Sequence, residues 1–283
     1  MPSFEIKRFA QLEYQAKEAV NTLCTNLSFA GGDIKKIMIT SCHPQEGKSF
    51  ISMNLMRSFA SLGMRVVLVD ADIRASALQS VYGIQIAGDY EADRYPGLTR
   101  YLAGRASVDE ILGPTNIPNA SMILSGRRVI NSLPLLNTPR LRQLLDYLTT
   151  KFDIVLVDAP PVGTIIDAAR IATSCDGTLF VVESGTVSRF HLQRSLSQIE
   201  QSGCTVLGTV LNRYDDREYG SKYYYSGGGY YSYYRRPNKS DNSESNTRKQ
   251  KRSQAGKSTS QANKSTSQAG KTASQKPAAR ERK

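Results

Sequence analysis

The sequence predicts an α/β protein with one mostly parallel sheet flanked by helices on both faces. Three observations carry that reading. Short β-rich runs alternate with amphipathic stretches from Ile34 to Leu211, the pattern of right-handed βαβ crossovers. Two of those runs, Val66–Val69 and Ile154–Val157, are apolar throughout, as strands covered on both faces of a parallel sheet are. The length, 283 residues, suffices for one large α/β domain or two small ones.

In chain order, a helix is expected over residues 10–30, with apolar positions at Leu12, Ala16, Ala19, Val20, Leu23 and Leu27. Strands are expected at 36–41, 65–69, 121–124, 153–157, 178–183 and 205–211. Helices are expected at 49–62, 107–112, 138–150, 165–174 and 188–202. The polar segment Gly83–Pro96 reads as a loop or insertion. Cys24, Cys42, Cys175 and Cys204 show no paired or metal-ligand spacing, which fits a reducing cytosol. No secretory leader is read at the start, and no apolar run approaches the ~18 residues of a membrane span. His191 reads as a surface or packing residue of the last helix.

One loop organises the chain. Ser41-Cys42-His43-Pro44-Gln45-Glu46-Gly47-Lys48-Ser49 joins an apolar strand to a helix. A strand, a tight loop and Gly-Lys-Ser at a helix start present backbone N–H groups to nucleotide phosphates. Lys48 would reach the β/γ-phosphates and Ser49 would offer its hydroxyl to Mg²⁺. Cys42 stands where the first glycine of that pattern is expected. Two further strand ends deliver Asp70, Asp72 and Arg74, and Asp158 before Ala159-Pro160-Pro161. In a parallel sheet, ligands bind beyond the strand C-termini, so phosphate cradle and acids share one edge. Carboxylates, water and phosphate oxygens are the donors Mg²⁺ takes. The expectation is a nucleoside-triphosphate site.

These three motifs resemble the Walker A, A′ and B sequences of bacterial tyrosine kinases of capsular and exopolysaccharide systems, P-loop proteins of the deviant Walker (MinD/ParA-like) type. Pro44-x-Glu46-Gly47-Lys48-Ser49 matches Walker A, with Gln45 replacing the usual glycine. Asp70-x-Asp72-x-Arg74 matches Walker A′, and Asp158-x-Pro160-Pro161-Val162 matches Walker B. The likeness runs from about residue 10 to about 214, through Gly97–Leu102, Asp167-Ala168 and Leu207–Asn212. It implies ATP held by Pro44, Gln45, Glu46, Gly47, Lys48, Ser49 and Phe50, with Asn212 and Arg213 at the adenine. It implies Mg²⁺ at Ser49, Asp72 and Asp158, and catalysis by Lys48, Asp70 and Asp72. Asp70 is the first choice as base, with Asp72 the alternative. In the related partitioning and cell-division ATPases a lysine occupies the position of His43, which counts against that branch. The family's ring-forming Glu-x-x-Arg-x-x-Arg pattern is reduced here to Glu18, Asn21 and Cys24. Weak self-association is therefore expected, and restoring Arg at both changed positions is expected to raise the assembled mass.

Composition divides the chain into 1–214, the P-loop domain; 215–234, a tyrosine-rich segment; and 235–283, a basic low-complexity tail. Tyr219, Tyr223, Tyr224, Tyr225, Tyr230, Tyr231, Tyr233 and Tyr234 are eight of fifteen tyrosines. Their glycine- and serine-rich setting cannot build a core. Behind a P-loop kinase site they read as autophosphorylation acceptors, labelled in trans by a second copy. The last 49 residues hold 14 Lys/Arg against Asp241, Glu244 and Glu281. The chain's net +12 therefore belongs almost wholly to this tail, which could meet an anionic membrane surface. No specific nucleic-acid partner is expected. The resemblance further implies a membrane adaptor of the polysaccharide copolymerase type, a cognate tyrosine phosphatase, and a cytoplasmic protein recruited to the plasma membrane by that adaptor. The alternatives are a partitioning-type ATPase that switches location without phosphorylating tyrosine, and a non-catalytic aromatic/basic binding protein.

Overall fold

The structure is a computed structural model that describes residues 1–87, 95–163 and 166–214. The chain opens with β1 (Ser3–Glu5), α1 (Tyr14–Ser28), β2 (Lys36–Ser41), α2 (Lys48–Ser61) and β3 (Val66–Asp70). It continues through α3 (Leu78–Tyr82), β4 (Gln85–Ala87), α4 (Gly97–Leu102), α5 (Val108–Ile111), β5 (Gly113–Pro114) and β6 (Ala120–Ile123). The last third holds α6 (Leu133–Leu136), α7 (Arg140–Lys151), β7 (Ile154–Asp158), α8 (Asp167–Ala172), β8 (Gly177–Glu183), α9 (Arg189–Gln201) and β9 (Thr205–Asn212).

Seven strands pair in the order β5-β6-β3-β7-β2-β8-β9. Every pair is parallel except the short β5–β6 contact. The three central strands are the most apolar runs in the sequence, and Ile37–Ile39, Val66–Val69 and Val155–Val157 are fully buried. Burying one such side chain stabilises the fold by about 1.5–3 kcal/mol. That explains why these runs occupy the middle of the sheet and not an edge. Helix α2 lies against them and buries Ile51, Met53, Leu55, Met56 and Phe59. It ends before Gly63, whose φ of 81° gives the left-handed turn that closes many helices.

The six expected strands and five internal helices are all present, their ends within two residues of expectation, while α1 begins at Tyr14, four residues later than expected. Two expectations change. The segment Gly83–Pro96 is not merely loop: β4 pairs antiparallel with β1. Tyr95 is buried, its hydroxyl donating to the Ile111 carbonyl at 2.6 Å. The second change concerns α1. Cys24 is fully buried, and Asn21 is half-buried, accepting from Ser58 Oγ of α2 at 3.3 Å. Of the three positions read as an assembly face, only Glu18 is exposed. An arginine at position 24 would enter the core, so that position offers no exposed surface for the expected assembly contact. The four cysteines are free thiols. Among the described residues no helix is long and apolar enough to cross a membrane. The tyrosine-rich segment and the basic tail lie outside the described residues.

Candidate nucleotide and phosphotransfer site

Strand β2 ends at Ser41 and α2 begins at Lys48, so six residues make the turn between them. Two internal contacts tighten it. Ser41 Oγ donates to the His43 carbonyl at 2.7 Å, and the His43 N–H donates to Glu46 Oε2 at 2.8 Å. Glu46 is folded inward and buried, with Oε1 unpartnered. Gly47 has φ 94°, and a Cβ there would lie 2.0 Å from Asn212 Nδ2. Only glycine meets both demands. Gln45 also takes a left-handed conformation, φ 69°, at the position where the motif read from the sequence expects glycine. That backbone costs a residue with a Cβ about 1–2 kcal/mol. The loop geometry is thus preserved at a position where its usual residue is absent.

The acids converge from neighbouring strands. Asp70 and Asp158 are direct register partners across β3 and β7. Ser49 Oγ donates to Asp158 Oδ2 at 2.6 Å, and Ser52 Oγ to Oδ1 at 3.2 Å. Lys48 Nζ pairs with Asp72 Oδ2 at 3.3 Å. Asp70 Oδ2 accepts from the Ser76 hydroxyl and from the Ser125 N–H, while Oδ1 is buried without a partner. Burial pushes Asp70 up to about 7, with the charge of Asp158 adding to it. Burial raises Asp158 too, against the opposing pull of Lys48 and Ser49. Burial works to lower Lys48, but Asp158 and Asp72 more than offset it and hold the ammonium above its ordinary range.

Three buried carboxylates facing one lysine, with one carboxylate oxygen unpartnered, fit a divalent cation. Among the described residues no three His, Cys, Asp or Glu side chains form a metal cage. The donor set is instead of the kind Mg²⁺ uses with nucleotides: one or two carboxylates, a hydroxyl, water and phosphate oxygens. Ser49 and Asp158 already share a hydrogen bond at that place.

Pro44 is exposed on the loop, and Phe50, at the start of α2, packs partly buried against the core. Asn212 lies at the loop, where its amide Nδ2 donates to the Glu46 carbonyl at 2.9 Å. Arg213 follows it directly and pairs with Glu183 at 2.6 Å. His191 is exposed on α9, but its ring meets that of His43 at 5.5 Å. The eight clustered tyrosines lie outside the described residues. Sequence reading missed Ser52, Ser76 and Ser125, which hold the two buried acids. Ser52, one helical turn after Ser49, could have been found from that spacing; the other two carry no local signal. It also missed the tether of Arg74, which donates to Asp167 Oδ2 at 2.7 Å and to Ser132 Oγ at 2.8 Å.

A family model described as an AAA domain matches residues 34–203. The chain is 36% identical over 217 residues to tyrosine-protein kinase CpsD of Streptococcus pneumoniae, covering 76% of this chain and 92% of that one. The kinase domain of the Escherichia coli tyrosine kinase ETK superimposes with TM-score 0.63 at 30% identity, over 71% of this chain and 78% of that one. The septum site-determining protein MinD from Pyrococcus horikoshii, solved with Mg-ADP, shares the fold at TM-score 0.54 and 23% identity, over 64% and 71%.

Proposed function

The chain belongs to the bacterial tyrosine-protein kinases, and on that premise we propose that it moves the γ-phosphate of ATP onto the tyrosines of its own cluster, in trans. The observation that carries this reading is the meeting of Lys48, Ser49, Asp70, Asp72 and Asp158 at one strand edge. A phenol oxygen attacks the γ-phosphorus, the bond to the ADP oxygen breaks, and the phenol proton passes to a carboxylate. Lys48 and the loop N–H groups stabilise charge on the transferred group. Ser49, Asp158 and Asp72 would hold Mg²⁺, whose charge would offset that of the phosphates when bound. Asp70 takes the proton, because its Oδ1 has no partner while both oxygens of Asp158 and both of Asp72 are engaged. Asn212 pins the Glu46 carbonyl, and Arg213 stands at the adenine side.

In this reading residues 1–214 are the kinase domain, 215–234 the acceptor segment and 235–283 a basic tail suited to an anionic membrane surface. The family setting is control of capsular or exopolysaccharide synthesis. A membrane adaptor recruits the cytoplasmic chain, and a tyrosine phosphatase resets it. Incubation of the full chain and adaptor with γ-labelled ATP, read for phosphotyrosine, tests this. Replacing all eight clustered tyrosines by Phe should remove most label and leave ATP binding unchanged. Label found chiefly on Tyr14, Tyr82 or Tyr147 rejects the acceptor assignment. Phosphate release without any label supports the partitioning-type ATPase instead.

A further inference from the structure

The segment Ser125–Ser132 runs beside Asp70–Arg74 and is tied to it at four points. The Ser125 N–H donates to Asp70 Oδ2 at 3.3 Å, and the Val129 N–H to the Ile73 carbonyl at 3.0 Å. Arg74 donates to the Ile130 carbonyl at 3.0 Å and to the Ser132 hydroxyl at 2.8 Å. Between these anchors stand Arg127 and Arg128. Both are exposed, and neither has a hydrogen-bond or ion-pair partner among the described residues.

Exposed arginines without partners are common. These two differ in being fixed, through their backbone, to the loop that supplies Asp70 and Asp72. A phenol reaching those acids would carry its flanking residues close to this segment. The site below cannot attract an acidic segment by itself, since Asp70, Asp72 and Asp158 face one lysine. Two guanidiniums at its rim reverse that local field and can clamp carboxylates bidentately.

The chain's own sequence supplies the complement. Asp215, Asp216 and Glu218 directly precede Tyr219, and no further Asp or Glu occurs from Tyr219 to Tyr234. We propose that Arg127 and Arg128 select acceptor tyrosines preceded by acidic residues, with Asp215–Glu218 leading Tyr219 of a second copy into the site. The inference rests on the reading of the cluster as substrate. It adds an order to it, with Tyr219 modified before the acid-free tyrosines that follow.

The test measures binding without turnover. The receptor is the full-length chain carrying Asp215→Asn, Asp216→Asn and Glu218→Gln, which removes its own competing acids, with Mg²⁺ and a non-transferable ATP analogue. The probes are a fluorescent peptide of residues 215–222 and its Asn/Asn/Gln counterpart. The acidic peptide should bind about three- to tenfold more tightly, as expected for two exposed ion pairs, and the preference should fade at high salt. Arg127→Gln with Arg128→Gln should abolish the preference and leave the affinity for the ATP analogue unchanged. Arg127→Glu with Arg128→Glu should favour a peptide with Lys at the three acidic positions. Equal binding of the two peptides overturns the proposal, as does a preference that survives the Gln pair. A Gln pair that weakens the ATP analogue and spares the peptide preference overturns it too, and assigns the arginines to the nucleotide. If the peptide preference holds while the wild-type chain labels no clustered tyrosine, the acceptor reading fails and the rim assignment stands.

Discussion

At the ends of β2, β3 and β7, Lys48, Asp70, Asp72 and Asp158 are each held by a partner from a different part of the chain. Along α1, the positions Glu18, Asn21 and Cys24 are held by the helix's own packing: Cys24 in the core, Asn21 against Ser58, and Glu18 in solvent. The first region keeps its geometry even where a residue departs from the family pattern, as Gln45 does in a left-handed turn. The second loses its pattern without any sign of strain. A site fixed by buried hydrogen bonds and charge constrains its residues jointly. A helix whose positions meet separate surroundings, core, neighbouring helix and solvent, constrains them one at a time.

The largest effect is expected at Lys48. Lys48→Met should lower tyrosine phosphorylation by at least about a hundredfold, since it removes a charge aimed at the transferred phosphoryl group. The fold should survive, because Lys48 lies outside the apolar core that holds the sheet and α2 together. Wild-type labelling by purified Lys48→Met would remove the catalytic edge from its role. Next in size is Gly47→Ala. The added methyl would overlap the Asn212 amide in a backbone region costing about 1–2 kcal/mol, so nucleotide affinity should fall about tenfold or more. Calorimetric titration with Mg-ADP decides it, and unchanged affinity would show that the loop can relax without cost.

The fold's centre was legible because its physics is local. Val66–Val69 and Ile154–Val157 announce buried strands by composition, and Gly47-Lys48-Ser49 announces a phosphate cradle by chemistry. What stayed hidden depends on residues far apart in the chain. The β1–β4 pair joins three-residue strands about eighty positions apart, too short for any periodicity. Gly97 approaches Gly126 so closely that a Cβ would meet its Cα at 2.3 Å, a constraint neither glycine reveals alone. Ser125 reaches Asp70, and Arg74 reaches Asp167, only after the sheet has formed. The burial of Cys24 could have been suspected, since it lies one helical turn from Val20 and Leu27 on the core side of α1.

Proton linkage at Asp70 should have a smaller effect. In the metal-free protein Asp70 is held near 7 by burial, against about 3.9 in an unfolded chain. Below about pH 4 both states carry the proton and the group is neutral to stability. Between about 4 and 7 the unfolded state releases it while the native state retains it, so native stability falls by up to about 1.4 kcal/mol per pH unit. Asp70→Asn should remove this slope and make the metal-free protein more stable near pH 8 by a few kcal/mol. Urea unfolding at pH 5 and pH 8 reads it directly, and parallel curves for wild type and variant would remove Asp70 as the source.

The smallest effect is expected on α1. Two of its three positions face inward or toward α2, and the exposed Glu18 lacks the guanidinium partners that could bind it across an interface. The isolated chain should therefore be monomeric or weakly associated at micromolar concentration. An adaptor would supply the local concentration for phosphorylation in trans. Asn21→Arg alone should lose the Ser58 contact, worth about 0.5–1.5 kcal/mol, and leave the mass by light scattering unchanged. A single arginine without its second member does not rebuild the bidentate pattern. Cys24→Arg should instead unfold or destabilise the chain by several kcal/mol, because it buries an unpaired charge. A stable ring of the ATP-bound, dephosphorylated wild-type chain at low micromolar concentration would show that α1 is not the limiting surface. A rise in mass for Asn21→Arg would show that position 21 reaches a neighbour despite its contact with α2. Either result would place assembly under the same joint constraint as the strand-end site.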